Sequence, residues 1–401
     1  MNRAPIYLDY NATTPVDPRV VDAMLPFLRS HFGNADSTHA LGRLARDAVE
    51  QARAQVAALI GARPPEIYFT SGATESNNIA VRGVAARSPG AHVVTSLIEH
   101  KAVLESCRQL ERDGHPVSWL RPEPTGTVAL DRVLAAVRPT TRLVSLMWVN
   151  NEIGAVNPIA EIGASLRDRA ILFHTDAAQG AGLLTVDVEA TPIDLMSISA
   201  HKLYGPKGIG ALYVREAIKG EVSPHTAGGG HERSLRPGTL NVPAIVGFGE
   251  ACRLAHAAGE AEARRLAGLR DQLWQRLRAD IPEATLNGGL DNRSPTNLNV
   301  AFAFVDARRL TEALDADLCV SQGSACTSRK LEPSHVLMGI GAGGDRARSS
   351  IRLSVGRFTT ADDIARAADC IVAAVRRLRD GSPLWQVAAG VGAAARTTAR
   401  A

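Results

Sequence analysis

Through its first two thirds, the chain alternates short apolar runs with longer segments whose apolar residues recur at helical spacing. The apolar runs predict strands at residues 66–70, 92–97, 141–149, 171–176, 194–199 and 208–214. Helical periodicity is clearest over residues 41–61 and 101–112. This alternation predicts a mostly parallel sheet covered on both faces, with functional residues at the carboxyl ends of its strands.

The last third of the chain follows another pattern. A helical run extends from Pro243 to about Ile281, and strands at residues 296–302 and 349–356 precede a helix at 361–379. We therefore predict a smaller α+β domain after the large one. The expected divisions are an N-terminal segment packing with the small domain (1–15), the large domain (16–250), the small domain (251–385) and a low-complexity, disordered tail (386–401).

Lys202 stands between two predicted strands, in a connection that continues with the turn sequence Gly-Pro-Lys-Gly. A partly buried lysine loses its proton readily, and the neutral amine can bind an aldehyde covalently. A single lysine in such a loop is more often simply solvated. The hypothesis of a cofactor-binding lysine therefore depends on other segments.

Three other segments support that hypothesis. A buried strand ends at Asp176, where a carboxylate needs a partner such as a protonated pyridine nitrogen. Another strand runs into residues 71–74 and then into a helix, whose free amides and hydroxyls form an anion site. His100 opens a helix after a β-rich run, where it can lie flat against a ring. Each segment has an ordinary structural explanation, but their joint occurrence in this order favours a pyridoxal 5′-phosphate (PLP) site.

The motifs that occur along the chain are FTSGATESNN, EHKAVL, NNEIG, TDAAQ, SAHKLYGPKGIGAL, GGGHERSLRPGT and GSACTS. With these motifs the chain resembles the class I cysteine desulfurases of the NifS/IscS type, in class V of the aminotransferase superfamily. The resemblance runs from residue 7 to residue 360. It implies an α/β protein of PLP-dependent transferase fold type I, with a large domain on a mostly parallel seven-stranded sheet and a smaller α+β C-terminal domain.

The resemblance also implies roles for individual residues. Lys202 would bind PLP covalently, Asp176 would pair with the pyridine nitrogen, and His100 would stack on the ring and carry protons. Arg352 would hold the substrate carboxylate, and Asn151 would contact either the cofactor ring or that carboxylate. The residues expected to hold the phosphate and the phenolic oxygen of PLP are Ala73, Thr74, Gln179, Ser199 and His201.

Cys326 stands in a Gly/Ser-rich, aperiodic stretch, which predicts a mobile loop with an accessible sulfur. A thiolate is the nucleophile in sulfur transfer, and the nearby Arg329 and Lys330 would lower the pKa of this thiol. The resemblance implies that L-cysteine is converted to L-alanine and that Cys326 takes up the sulfur as a persulfide. Four further cysteines lie in helical or alternating apolar patterns and are expected in the core: Cys107, Cys252, Cys319 and Cys370.

Alternative activities and several partners stay open at this point. Selenocysteine lyase activity would use the same lysine, and an aminotransferase, another PLP lyase or a sulfur carrier without catalysis are further alternatives. Thr239 is similar to a residue that reaches the phosphate across a dimer interface, which implies a homodimer. An iron-sulfur scaffold, a tRNA-thiolation protein, a DNA-phosphorothioation system or a biosynthetic carrier could each be the sulfur-acceptor protein.

Composition narrows the remaining classes of protein. The 401 residues carry a net charge of +4 that is spread along the chain, so we expect no direct nucleic-acid binding. No Cys-x-x-Cys pair and no His-Glu-x-x-His motif occurs, so we expect no metal site. The sequence has no run of eighteen apolar residues and no leader, and its five cysteines are scattered. These features predict a cytoplasmic protein without a membrane partner.

Overall fold

A computed structural model describes residues 4–323 and 333–388 of the chain. The strands are β1 (Ile6–Tyr7), β2 (Ile67–Thr70), β3 (His92–Ser96), β4 (Val117–Leu120), β5 (Thr141–Ser145), β6 (Leu172–Asp176), β7 (Leu195–Ser199), β8 (Gly210–Val214), β9 (Ala284–Leu286), β10 (Asn297–Phe302), β11 (Leu318–Cys319) and β12 (Ser350–Ser354). The helices are α1 (Pro18–Arg29), α2 (Ala40–Leu59), α3 (Ala73–Ala85), α4 (Lys101–Arg112), α5 (Leu130–Ala136), α6 (Ile159–Arg167), α7 (Val242–Asp280), α8 (Ala307–Leu314), α9 (His335–Gly339), α10 (Gly344–Arg348) and α11 (Ala361–Asp380).

The chain divides into two compact units. The large unit comprises residues 13–151 and 155–263, and the small unit comprises residues 4–12, 152–154 and the described residues from 264 onward. The division falls inside α7, soon after Gly259, whose φ of 50° and ψ of −147° interrupt the helical backbone. The sequence had suggested a division at residues 250–251 and had given no reason to assign residues 152–154 to the small unit.

A seven-stranded sheet forms the large unit, in the order β2-β8-β7-β6-β5-β3-β4. β4, β3, β5, β6 and β7 pair in parallel, whereas β8 is antiparallel to both of its neighbours, β7 and β2. β2 therefore points the same way as β7, and six of these seven strands share one direction. The predicted α/β fold with a mostly parallel seven-stranded sheet is confirmed, and the carboxyl ends of the six strands lie along one edge.

Buried apolar side chains cover both faces of this sheet. Adjacent residues such as Val93 and Val94 belong to different apolar clusters, because successive side chains of a strand point to opposite faces. One cluster includes residues of α2, α6 and α7, and the other includes residues of α3 and α4. Every position of β3, β7 and β8 is buried. Their sequences are accordingly rich in apolar residues on both faces instead of showing strict alternation.

The small unit contains a three-stranded antiparallel sheet, in the order β12-β10-β9, and a parallel pair formed by β1 and β11. α8 packs against α11 in the same unit. The smaller C-terminal region of sheet and helix that the sequence predicted is thereby confirmed. Within the described residues, no helix is both long enough and apolar enough to cross a membrane.

Several short segments differ from the sequence predictions, and the short strands β1, β9 and β11 were not predicted. β4 was not predicted, because it is an edge strand with mostly half-buried side chains and lacks a strong apolar run. The run at 141–149 was predicted as one strand, but β5 ends at Ser145.

Residues 386–388 of the predicted disordered tail are helical, within a turn that covers 383–388. This turn is held by Trp385, whose ring lies 4.3 Å from the Arg379 guanidinium carbon. Residues 389–401 of that tail lie outside the described part.

Candidate active site

Lys202 lies in a single 3-10 turn, Ala200–Lys202, that directly follows β7. Thr14 fixes this turn, because its hydroxyl donates to the His201 carbonyl at 3.0 Å and accepts from the Tyr204 amide at 2.9 Å. Tyr204 has a φ of 63°, a left-handed conformation that persists only where the surroundings hold it. Lys202 therefore lies on a fixed connection at the carboxyl edge of the sheet. Its side chain is half-buried.

Asp176 ends β6 and is 5% exposed. Its Oδ2 accepts a hydrogen bond from Asn77 Nδ2 at 2.7 Å, and its Oδ1 accepts one from the Ala178 amide at 3.0 Å. Two donors from different segments thus fix the orientation of the carboxylate. Asn77 was not among the residues predicted from the sequence. Its position one helical turn after Ala73, on the same face of α3, was the signal that could have indicated it.

Other predicted residues come together at the same edge of the sheet. β5, β6 and β7 are neighbours, so the segments that follow them are adjacent as well. Asn151 follows β5, Gln179 follows β6 and Ser199 ends β7, and each is at most 9% exposed. The Trp148 amide donates to the Asp176 carbonyl at 3.0 Å, which continues the pairing of these segments beyond the end of β5.

The start of α3 lies at this edge, since β2 points in the same direction as the parallel strands. Gly72 precedes the helix with a φ of 146° and has no side chain that could cap it. Ala73 is half-buried and Thr74 is exposed. A Cβ atom on Gly210 of β8 would lie only 2.7 Å from Gly72 Cα, so the two backbones are in close contact. The first amides of a helix have no intrahelical acceptors, and this end of α3 therefore suits an anion such as a phosphate.

Two predicted histidines lie near the ends of neighbouring segments. His100 is the N-cap of α4, and its Nδ1 accepts from the Ala102 amide at 3.2 Å. In the neutral ring the proton is therefore on Nε2, which can donate it. Burial, together with the positive charges of Lys202 and Lys207, lowers the pKa of His201 to about 4. His201 is consequently neutral at physiological pH and can accept a hydrogen bond.

A buried histidine that the sequence analysis missed lies on β6. His174 is two residues before Asp176 and on the same face of the strand. Its Nδ1 lies 2.8 Å from Ser145 Oγ and its Nε2 lies 3.0 Å from Ser197 Oγ, so the ring bridges β5 and β7. Burial lowers the pKa of His174 to about 4, against a smaller opposing effect of Asp176. This ring is therefore neutral at physiological pH and adds no positive charge beside Asp176.

Glu99, directly before His100, has no exposed surface and was also missed. Both oxygens of its carboxyl group lie 3.0 Å from the Met147 amide, which donates to them. Burial, and to a smaller extent the negative charge of Asp176, raises the pKa of Glu99 well above its ordinary value. The Asn150 side chain donates to the Ile98 carbonyl at 2.9 Å. These bonds join the segment of His100 to the segment that leads to Asn151.

Thr239 is exposed on the large unit. Arg352 lies in β12 of the small unit and is 1% exposed, and its Nη2 donates to Asp9 Oδ1 at 2.7 Å. A substrate carboxylate that binds Arg352 would have to share it with Asp9. Cys326, Arg329 and Lys330 lie outside the described residues.

The other four cysteines are free thiols. Cys107 and Cys252 are buried as predicted, whereas Cys319 and Cys370 are only half-buried and so are not core residues. Cys319 belongs to the two-residue strand β11, and Cys370 occupies a half-buried position in the middle of α11. Burial raises the pKa of each of the four thiols. None of these four is therefore poised as a thiolate at neutral pH.

The site fits the PLP that the motifs imply. Asp176 is an oriented acceptor for a pyridine N–H group, the start of α3 suits a phosphate, and Lys202 supplies an amine for an aldehyde. Asn77 Oδ1 is buried and has no hydrogen-bond partner among the described residues. Within the same residues, no group of three or more histidine, cysteine, aspartate and glutamate side chains could hold a metal ion.

The fold and these groups define an α/β protein of the PLP-dependent transferase class. The profile of the aminotransferase class-V family matches residues 6–367, and the chain belongs to that family. Within the family it belongs with the cysteine desulfurases. It is 53% identical over 390 residues to the cysteine desulfurase IscS of Aeromonas hydrophila subsp. hydrophila, with 96% of each chain covered.

Solved structures agree with this classification. A NifS-like protein superimposes with a TM-score of 0.86 at 34% identity, covering 92% of this chain and 98% of the other. SspA, solved in complex with cysteine, superimposes with a TM-score of 0.79 at 40% identity, covering 88% of this chain and 100% of the other. The likeness therefore extends over both units of the chain.

Proposed function

We propose that this protein is a PLP-dependent cysteine desulfurase that converts L-cysteine to L-alanine and leaves the sulfur on Cys326 as a persulfide. The observation that carries the proposal is the 53% identity to a cysteine desulfurase over almost the whole length of both chains. The similarity to SspA, solved with cysteine, supports L-cysteine as the substrate. The buried carboxylate of Asp176, which two hydrogen-bond donors orient, supports PLP as the cofactor.

Residues of the large unit would hold PLP. Lys202 would bind its aldehyde, Asp176 would accept a hydrogen bond from the ring nitrogen, and His100 would stack on the ring. The phosphate and the phenolic oxygen would be held by Ala73, Thr74, Gln179, Ser199 and His201. When bound, PLP supplies a protonated ring that withdraws electrons from the substrate Cα.

The chain's own residues would supply the acid and base groups. The Lys202 amine would remove the Cα proton of the substrate, and Nε2 of His100 would carry the proton of the substrate thiol. Arg352 would bind the substrate carboxylate, with Asn151 as a second contact. Because Asp9 already accepts from Arg352 at 2.7 Å, that guanidinium would have to serve two carboxylates.

Cys326 would be the sulfur acceptor. Its thiolate would attack the substrate sulfur, so that an S–S bond forms while the bond between sulfur and Cβ breaks. The electron pair left on the carbon is then protonated, which gives alanine. The raised pKa of the other four thiols supports Cys326 as the nucleophile, because a protonated thiol reacts poorly.

Mass spectrometry after incubation with L-cysteine tests this proposal. We expect one added sulfur atom on the peptide that contains Cys326, and alanine released in step with it. Cys326→Ala should lose both, whereas Cys370→Ala, which removes a half-buried thiol, should keep both. Unchanged alanine release by Cys326→Ala would overturn the assignment.

Further measurements on the wild type and on Cys326→Ala separate the alternative activities. A selenocysteine lyase would release alanine from selenocysteine in the Cys326→Ala variant as fast as in the wild type. An aminotransferase would form a keto acid instead of alanine. A sulfur carrier without catalysis would not develop the visible absorption that PLP gains on binding a lysine.

We further propose a homodimer in which Thr239 reaches the phosphate bound by the partner, with the large unit holding PLP and the small unit carrying Cys326. The acceptor of the persulfide would be an iron-sulfur scaffold, a tRNA-thiolation protein, a DNA-phosphorothioation system or a biosynthetic carrier. The free thiols of the described residues support a reducing, cytoplasmic setting. Capture of the persulfide form with its acceptor would identify the pathway.

A further inference from the structure

Three consecutive residues of the large unit, Glu232, Arg233 and Ser234, adopt left-handed backbone conformations with φ values of 46°, 53° and 66°. None of them is glycine, so each conformation carries a steric cost. Such a turn persists only where side-chain contacts hold it. The turn lies shortly before Thr239, in the motif GGGHERSLRPGT.

The contact that holds the turn is a buried ion pair between Glu232 and Arg53. Arg53 Nη1 and Nη2 donate to the two oxygens of Glu232 at 2.8 Å each, and the Phe69 amide donates to Oε2 at 2.7 Å. The exposed fraction of the two side chains is 4% for Arg53 and 1% for Glu232. Arg53 Nη1 also donates to the Ile67 carbonyl at 2.9 Å. The turn is therefore fixed to β2 by buried, charge-assisted hydrogen bonds.

The neighbouring side chains add further attachments. His231 Nε2 lies 2.7 Å from Asp36 Oδ2, and the Arg233 guanidinium carbon lies 4.1 Å from the centre of the Tyr68 ring. Arg236 Nε donates to Glu75 in the first turn of α3 at 3.1 Å. Residues 231–236 are thus attached at several points to their own subunit.

The end of the segment, unlike its start, is exposed. Gly238 and Thr239 are exposed, and Gly238 has a φ of 122° that favours glycine. A rigid, buried base therefore carries an exposed tip. This arrangement suits a tip that binds a group outside its own subunit, because the base fixes its direction before binding.

We propose that Glu232, through its ion pair with Arg53, is a positioning residue that holds Thr239 in place for the PLP phosphate of the partner subunit. This inference rests on the proposed function, in which PLP is bound and Thr239 acts across a dimer interface. It adds that loss of the ion pair weakens PLP binding in the other subunit, not in the subunit that carries the substitution.

Mixed dimers test whether the effect acts on the other subunit. The two subunits carry different affinity tags, so that the mixed dimer can be purified. One subunit carries Lys202→Ala, so only the other subunit can bind PLP covalently. Placing Glu232→Gln on the Lys202→Ala subunit should weaken PLP binding by the intact subunit by about tenfold. Placing Glu232→Gln on the subunit that retains Lys202 should leave PLP affinity unchanged. The readout is the visible absorption of bound PLP during titration, which does not depend on desulfuration.

Two further variants provide a control and a substitute for Glu232→Gln. Glu50→Gln removes the exposed carboxylate partner of Arg53 and should have no effect in either arrangement. Arg53→Lys keeps the positive charge but loses the two-bond contact, and it replaces Glu232→Gln if that variant does not fold. The inference would be overturned if PLP binding were weakened only when Glu232→Gln is on the subunit that retains Lys202, or if it were weakened in neither arrangement. Mixed dimers that bind PLP normally but form no persulfide would overturn the proposed function instead, and a control dimer that binds no PLP would overturn both.

Discussion

Glu99 is an acidic side chain in surroundings that favour its protonated form. Its carboxyl group has no exposed surface, and its pKa is raised by burial and by the nearby charge of Asp176. In the unfolded chain the same group ionises near its ordinary value of 4.5. The stability that protonated Glu99 contributes is complete below that value and declines as the pH rises, because unfolding then releases a proton.

We expect Glu99→Gln to change this pH dependence. Glutamine keeps an acceptor for the Met147 amide but cannot ionise. Relative to the wild type, its free energy of unfolding should rise by about 1.4 kcal/mol per pH unit above 4.5, until the folded carboxyl group itself ionises. Urea unfolding of the apoprotein at several pH values above 4.5 measures the difference.

Glu105→Gln provides the control at an exposed position of α4. A difference between Glu99→Gln and wild type that stays constant over this range, or that Glu105→Gln reproduces, would contradict the prediction. Glu99→Ala should be strongly destabilised at every pH, because it leaves the Met147 amide buried without this acceptor.

At the scale of single residues, the sequence predicted the groups that carry chemistry and missed the groups that orient them. Asp176 ends a strand, and Lys202 and His100 follow strands. All three lie in recognisable motifs, so their positions at the sheet edge could be predicted. Asn77 contacts Asp176 across 99 positions of the chain. Local spacing places Asn77 on the same face of α3 as Ala73, but it does not show the contact with Asp176, because that contact depends on how α3 packs against β6.

Among the secondary-structure elements, the contact between β8 and the start of α3 has a direct effect on the candidate site. A Cβ atom on Gly210 would lie 2.4 Å from the Ile198 carbonyl oxygen and 2.7 Å from Gly72 Cα. Both are backbone atoms, so no side-chain rotation could relieve the overlap. The phosphate end of α3 would have to move away from the sheet.

We expect Gly210→Ala to weaken PLP binding and to destabilise the protein by about 2 kcal/mol. Titration of the apoprotein with PLP, followed by visible absorption, and urea unfolding would measure the two effects. The matched control is Gly220→Ala, where an added Cβ meets nothing within 4 Å. Equal PLP affinity in these two variants would show that the close contact does not position the site.

The elements themselves were largely predictable. Long apolar runs identified the buried strands, and helical periodicity identified α2, α4, α7 and α11 to within a few residues. β4 escaped because an edge strand buries only part of its side chains. The direction of β8 was also beyond the pattern, because a short apolar run is the same whether its neighbours are parallel or antiparallel.

On the scale of the whole molecule, the N-terminal residues are part of the small unit. β1 pairs in parallel with β11, and Asp9 binds Arg352 and bridges to Ser354. The N-terminus therefore supplies a strand and a carboxylate to a unit that otherwise comes almost entirely from the last third of the chain. This contribution makes the stability of the small unit dependent on residues far away in sequence.

Removal of residues 1–9 should consequently loosen the small unit. We expect faster hydrogen exchange in β10, β11 and β12 because β11 loses its pairing with β1, and weaker binding of cysteine because Arg352 loses its ion pair with Asp9. The visible absorption of PLP bound to Lys202 should persist, since Thr14, which fixes the turn of Lys202, remains. Asp9→Asn, which keeps β1, should show a smaller effect. Unchanged exchange in the truncated protein would contradict this prediction.

The sequence by itself determined the order of the elements, the mostly parallel sheet and the motifs that identify the family, because these depend on local periodicity and residue type. The tertiary structure decided which buried groups orient Asp176, that burial raises the pKa of Glu99 and lowers that of His174, that Arg352 already binds a carboxylate, and that the Glu232 turn is fixed to β2. Each of these depends on burial or on a contact between distant segments. Burial and distant contacts arise only when the chain is packed, so no local pattern can encode them.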